Sequence, residues 1–339
     1  MTIGRRTVIS GALVAALGAK VGMARMPPPT AVRRLSPGLD RVIAPDATIE
    51  TIATGIQWAE GPLWLPDQNA LLFTDPPANI IRRWQAGKGV APFLNPSGAA
   101  DTDPALVREP GANGLALGVD GALRLADSGS RALVRVDLAS KQRTTLVDRY
   151  RGKRFNSPND LAIARAGTIY FTDPPYGLAQ GDTSSLKELD HNGVYRWAPG
   201  GEAVLLDGTL TRPNGIALSP DERTLYVTVS DKEVAGVYAY PLDARGDVGT
   251  RRLLLDARPM LADDAPGMTD GMKVAADGTL FCSAPGGVLV MTPEGEMLGL
   301  ISGGRAIANC CFGEDGRTLF MAATDRVLRV ALRLNGWRA

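Results

Sequence analysis

Six stretches of this chain repeat one phrase: a carboxylate or amide side chain, usually a glycine, alternating apolar residues, a polar turn, then a second strand-like run. The lead residues are Glu60, Asn113, Asn159, Asn214, Asp270 and Asn309. The first copy reads Glu60-Gly61-Pro62-Leu63-Trp64 with Ala70-Leu71-Leu72-Phe73-Thr74-Asp75. The third reads Asn159-Asp160-Leu161-Ala162-Ile163 with Gly167-Thr168-Ile169-Tyr170-Phe171-Thr172-Asp173. From each lead residue to the first large aliphatic of the second run is 11, 10, 10, 11, 10 and 10 positions. A hairpin in one register, with side chains alternating between faces, accounts for that constancy. Further strands follow in several copies, as in Ala132–Asp137 with Thr144–Val147, and Gly193–Trp197 with Ala203–Leu206. Repeats of roughly 40 to 50 residues with four strands each point to a propeller. The expectation is an all-β, six-bladed β-propeller over residues 48–339, with four-stranded antiparallel blades around a central channel. A solenoid would need a polar capping repeat, which is missing, and no long run carries a helical period.

Composition narrows the chemistry. Lys plus Arg is 37 against 36 for Asp plus Glu, so no basic excess favours nucleic acid. The single histidine, His191, excludes a zinc site built from several histidines and any histidine pair. A Ser-His-Asp triad could use only His191, which sits in a polar stretch and reads as a loop residue. Cys310 and Cys311 are adjacent, point to opposite faces of a strand and are poorly placed to bridge each other. With Cys282 they read as buried free thiols.

At the N-terminus, Arg5-Arg6 precedes an apolar run from Gly11 to Gly18, and Gly22-Met23-Ala24 supplies small residues for cleavage. That layout predicts a twin-arginine export signal over residues 1–24, a periplasmic destination and no stable membrane span once the signal is removed. Residues 25–47, Pro-rich at their start, read as a tether.

The first strand of every propeller blade lines the channel, so residues in one register form a ring. Two carboxylates and four amides would then converge at one mouth. Hard oxygen donors with few positive charges beside them suit one divalent cation, calcium first, with magnesium, manganese and zinc behind it. Strand-start Asn and Asp also serve as turn residues, and Asn309 is expected to play only that structural part.

At these residues the chain resembles the family of gluconolactonase, regucalcin (senescence marker protein) and luciferin-regenerating enzyme, and its bacterial gluconolactonase branch in particular. The resemblance lies in Ala59-Glu60-Gly61-Pro62-Leu63-Trp64, Asn156-Ser157-Pro158-Asn159-Asp160-Leu161, Tyr170–Leu178, Arg212-Pro213-Asn214-Gly215-Ile216-Ala217 and Thr269-Asp270-Gly271-Met272. It implies that Glu60, Asn159, Asn214 and Asp270 surround the metal, Asn159 also being able to touch substrate. Ser157 departs from the arginine of the regucalcin branch, which puts sugar contacts inferred from animal relatives in doubt. The implied activity is hydrolysis of a small lactone, glucono-1,5-lactone or another aldonolactone, to its open acid. Asp270 is the candidate general base, Asn113 and Asn159 orient the substrate, and Tyr176 walls the pocket. Glu188 and His191 fall in a long insert that could form a lid. Asp263 and Asp264 read as solvated loop charges. Competing readings are another esterase or phosphotriesterase on the same metal, and a non-catalytic sugar- or ligand-binding propeller.

Overall fold

A computed structural model describes residues 31–263 and 265–337. The proposed signal lies outside the described residues, as do Asp264 and the side chain of Asp263. Six antiparallel sheets of at least four strands each make up the fold. Their innermost strands begin at Glu60–Leu65, Ala112–Leu117, Leu161–Ile163, Pro213–Leu218, Met272–Val274 and Asn309–Gly313. Each inner strand packs beside that of the next blade and the sixth beside the first, which closes a six-bladed β-propeller.

The hydrophobic core is divided among the seams between blades. Six apolar clusters fill six interfaces. At the seam between blades six and one, Trp64, Leu71 and Phe73 meet Cys311, Phe320 and Ala322, and the Trp64 and Phe320 rings stack at 5.3 Å. Second strands are therefore buried on both faces. Ala70–Asp75 has no exposed residue, Leu71 and Phe73 facing one seam while Leu72 faces the other. A strand sandwiched this way reads as a nearly continuous apolar run, and so alternation is weaker there than in a one-sided sheet. Each fully buried Leu or Phe contributes about 1.5–3 kcal/mol.

The sixth blade takes only three strands from the C-terminal part of the chain. Its fourth and outermost strand is Glu50–Thr54, paired with Arg326–Ala331. Ala31–Arg34 adds a fifth strand to blade five against Met297–Ser302. A short helical turn, Pro37–Arg41, follows, and Leu39, Val42 and Ile43 are buried in the seam between blades five and six. The described part of the segment read as a tether is thus packed against the propeller, because its apolar residues complete a seam. The three cysteines are free and buried. Cys310 and Cys311 belong to different seams, as opposite faces of one strand require. Among the described residues, no helix is long and apolar enough to cross a membrane.

Candidate active site at the channel mouth

Local irregularities turn the lead residues toward the channel. The ladder between first and second strands slips between Glu60 and Leu63, between Ala112 and Leu115, and between Pro213 and Ile216. An extra residue at such a point re-aims a side chain. In blades three and five the inner strand starts late, at Leu161 and Met272, leaving Asn159 and Asp270 just ahead of regular pairing. Only blade six keeps an unbroken register from its lead residue, Asn309 opposite Ala322.

A relay of hydroxyl groups fixes these segments blade to blade. Thr74 Oγ1 donates to the Asn113 carbonyl at 2.9 Å, Thr172 Oγ1 to that of Asn214 at 2.6 Å, and Thr228 Oγ1 to that of Asp270 at 2.8 Å. Ser128 Oγ does the same for Pro158 at 2.9 Å. Each of these donors stands on the second strand, or just past its end, and holds the lead segment of the next blade. Thr228 Oγ1 also accepts from Gly215 N at 2.7 Å. Glycine is required where the segments cross: at Gly61, φ is +43° and a Cβ would stand 2.1 Å from the Asn113 carbonyl oxygen.

The lead residues of five blades meet around a cavity of about 240 Å³, lined by Trp58, Glu60, Asn113, Asn159, Tyr176, Asn214, Ser230, Met268, Asp270 and an acid that no lead position predicts, Glu109. Glu60, Asn113, Asn159, Asn214, Asp270 and Tyr176 are thereby brought together. Asn309 is not among them. Its Nδ2 donates to Asp160 Oδ2 at 3.3 Å, and its Oδ1 accepts from Lys273 Nζ at 3.3 Å and from Cys310 N at 2.9 Å. Asp160, Asn309 and Lys273 form a polar layer behind the cavity.

Burial pushes the Glu60 carboxyl well above its usual range, and Asp270 and Asp160 push it further. Burial and then Asp160 do the same to Asp270. Both shifts oppose the gathering of negative charge here, an opposition that a bound cation would relieve. Among the described residues no three Asp, Glu, His or Cys side chains cluster as a ligand set by themselves. Asn214 Nδ2 donates to Ser230 Oγ at 2.9 Å, an arrangement that leaves Oδ1 as the atom to present elsewhere. Asn113 Oδ1 is buried without a partner. Two carboxylates with amide oxygens fit a hard dication.

Ser157 has a structural task. Its Oγ donates to the Pro174 carbonyl at 2.6 Å and accepts from Gly177 N at 2.9 Å, and so it pins the turn that presents Tyr176. The Tyr176 hydroxyl is buried with no hydrogen-bond partner, Ser230 and Asn214 being its polar neighbours. A second segment is zipped to this turn. Arg108 N donates to Gly177 O at 2.8 Å, Ala179 N donates to Leu106 O at 2.9 Å, and the Arg108 guanidinium bonds the Tyr176 carbonyl. That pairing carries Glu109 to the cavity edge. The sequence signal for Glu109 was weak, since it lies in the irregular connection between blades one and two.

The insert expected as a lid does not reach the cavity. Glu188 accepts from Arg154 N at 2.8 Å. His191 bonds Asp190 and Tyr195, each at 2.8 Å, and packs edge-on to Tyr150. Both are held on blade three by these contacts.

Fold and site together define a six-bladed propeller with an acidic, amide-lined mouth. The chain belongs to the family described as the SMP-30/Gluconolactonase/LRE-like region, whose profile matches residues 58–325. It is 49% identical over 309 residues to a gluconolactonase from Zymomonas mobilis, covering 90% of this chain and 87% of that one. A solved gluconolactonase structure from Xanthomonas campestris superposes with a TM-score of 0.77 at 30% identity, over 91% of this chain and 99% of the other. Regucalcin from Agrobacterium tumefaciens, described as a calcium-binding protein, shares the fold with a TM-score of 0.66 at 17% identity, over 86% and 96% of the two chains.

Proposed function

We propose that this chain is a periplasmic, dication-dependent lactonase that opens glucono-1,5-lactone or another aldonolactone to its acid. The observation that carries the reading is the cavity in which Glu60 and Asp270 are gathered with amide side chains from neighbouring blades. Lactone hydrolysis itself follows from kinship with gluconolactonases over nearly the whole chain. At about 240 Å³ the cavity is smaller than the ~300–1,000 Å³ of drug-sized sites, which suits a single sugar ring.

Glu60, Asn159, Asn214 and Asp270 would hold the dication. When bound there it supplies positive charge that polarises the lactone carbonyl and stabilises the oxyanion. The remaining work falls to side chains. Asp270 takes a proton from the attacking water on one carboxylate oxygen. A cation lowers the basicity of such a carboxylate, whereas burial and Asp160 raise it. Asn113 Oδ1 accepts a hydrogen bond from a substrate hydroxyl, Asn159 orients the ring, and Tyr176 closes one wall and excludes water. The unpaired Asn113 and Tyr176 oxygens support this assignment, since buried polar atoms without partners are costly unless a ligand completes them.

The test is proton release on fresh gluconolactone by chelated protein, then with calcium, magnesium, manganese or zinc restored. Turnover should require a dication and disappear in Glu60→Gln and Asp270→Asn. A folded protein that binds metal but adds nothing to the background rate would remove aldonolactones as substrates. Phosphotriesters and non-sugar lactones in the same assay separate the rival hydrolases.

A further inference from the structure

Three carboxyl groups line the cavity, and the ring of lead residues uses two of them. The third, Glu109, comes from the connection between the strands Gly89–Leu94 and Ala112–Leu117 and is carried to the cavity by backbone bonds to the Gly177 turn of blade three. Asp270 enters from blade five. The two acids therefore reach one cavity on separate segments of the chain.

The placement of Glu109 is built. Its backbone N–H donates to the Gly177 carbonyl at 3.3 Å, and Arg108 and Leu106 are tied to the same turn. One carboxyl oxygen, Oε1, faces the half-exposed Arg108 guanidinium at 3.8 Å. The other, Oε2, is buried without any hydrogen-bond partner. Apart from Arg108, the titratable groups sharing its surroundings are Glu60 and Asp270, whose fields it adds to, and Tyr176 on the same rim. Burial outweighs Arg108 and pushes the Glu109 carboxyl up, in the direction of the protonated acid. An unpaired carboxyl group lining a cavity is, in its protonated form, a hydrogen donor for a ligand atom held there.

Opening a lactone creates such an acceptor. We propose that Glu109 is the catalytic acid that protonates the departing ring oxygen, an assignment that rests on the lactonase reading above. Water adds to the carbonyl carbon, and the new C–O bond forms as one water proton passes to Asp270. The tetrahedral intermediate collapses by breaking the bond between that carbon and the ring oxygen, and the electron pair leaving on the ring oxygen takes the proton from Glu109. Asp270 then loses a proton to solvent and Glu109 regains one. The sum is lactone plus water to hydroxy acid. An aliphatic alkoxide is about as basic as hydroxide and needs this proton. A phenolate, near ~10, does not.

That difference supplies the experiment. Glu109→Gln is compared with wild type, calcium-loaded, on gluconolactone and on dihydrocoumarin, a six-membered lactone with a phenolic leaving group. The expected result is a fall of about 100-fold in kcat on gluconolactone with less than about fivefold on dihydrocoumarin. Calcium affinity by calorimetry and the melting temperature stay at wild-type values, and Glu109→Asp recovers part of the lost kcat. Equal losses on both lactones, a change confined to KM, or calcium binding weakened tenfold would each overturn the assignment, the last by making Glu109 a cation donor. Wild type active and Glu109→Gln unimpaired would remove the acid role alone. Wild type inactive on both lactones would overturn the lactonase reading and this assignment with it.

Discussion

Blades five and six carry the same phrase at the same offset, yet their lead residues have opposite fates. Asp270 lies ahead of a short inner strand and lines the cavity. Asn309 begins a regular strand, and both ends of its amide are consumed inside the protein by Asp160, Lys273 and Cys310. Position in a repeat places a residue on the ring. Whether its polar atoms are already satisfied decides whether it can serve a ligand. The two layers also differ in charge: burial raises the Asp160 carboxyl and Lys273 works against that rise, whereas no ammonium or guanidinium group lines the cavity.

The sharpest way to break this comparison is to exchange what the two blades do. Asp270→Asn should lower kcat on gluconolactone by at least about 1,000-fold with the fold intact, because proton transfer and a charged donor vanish together. Asn309→Ala should leave kcat within a few-fold yet cost about 1–3 kcal/mol in urea unfolding, since Asp160 and Lys273 lose a buried partner. The reverse pattern would mean that Asn309 belongs to the site.

A second expectation concerns pH. Glu60 and Asp270 have folded pKa values raised above their unfolded values, and burial pushes Asp173 up to about 7. For a raised acid the folded state binds the extra proton, so stability is full below the unfolded pKa, about 4, and is lost as pH rises through the folded value. The melting temperature of chelated protein should therefore fall between about pH 4 and 7. A saturating dication at 100 times its Kd should add about 2.7 kcal/mol at the upper end of that range. Scanning calorimetry with and without chelator checks it, and a flat profile in both states would show the acids to be compensated without metal. Smallest of the effects is the relay. Thr228→Val removes the hydroxyl that joins Gly215 to the Asp270 carbonyl and should cost about 1–2 kcal/mol with a roughly tenfold fall in kcat. A stability loss with unchanged kcat would make the relay purely structural.

Much of this was legible in the sequence because a closed ring of repeats turns spacing into geometry. The constant offset from lead residue to second strand was enough to place Glu60, Asn113, Asn159, Asn214 and Asp270 around one mouth. Glu109 escaped for the converse reason. It sits in a loop with no periodicity, brought in by backbone bonds to Gly177 that no local pattern announces. Ser157 showed only as a departure from relatives, and its hold on the Pro174–Gly177 turn required coordinates. The insert bearing His191 offered length without pattern, and its aromatic contacts with Tyr150 and Tyr195 keep it on blade three.

The strand Glu50–Thr54 works as the clasp of a hoop. It fastens the first part of the chain to the last, Arg326–Ala331, and Glu60 stands only six positions beyond Thr54. A donor riveted so close to the clasp feels any slack in it. The integrity of the hoop and the grip on a cation are one mechanical property, so an event at the outer rim, such as trimming or strand exchange, can loosen the centre without touching a single residue there.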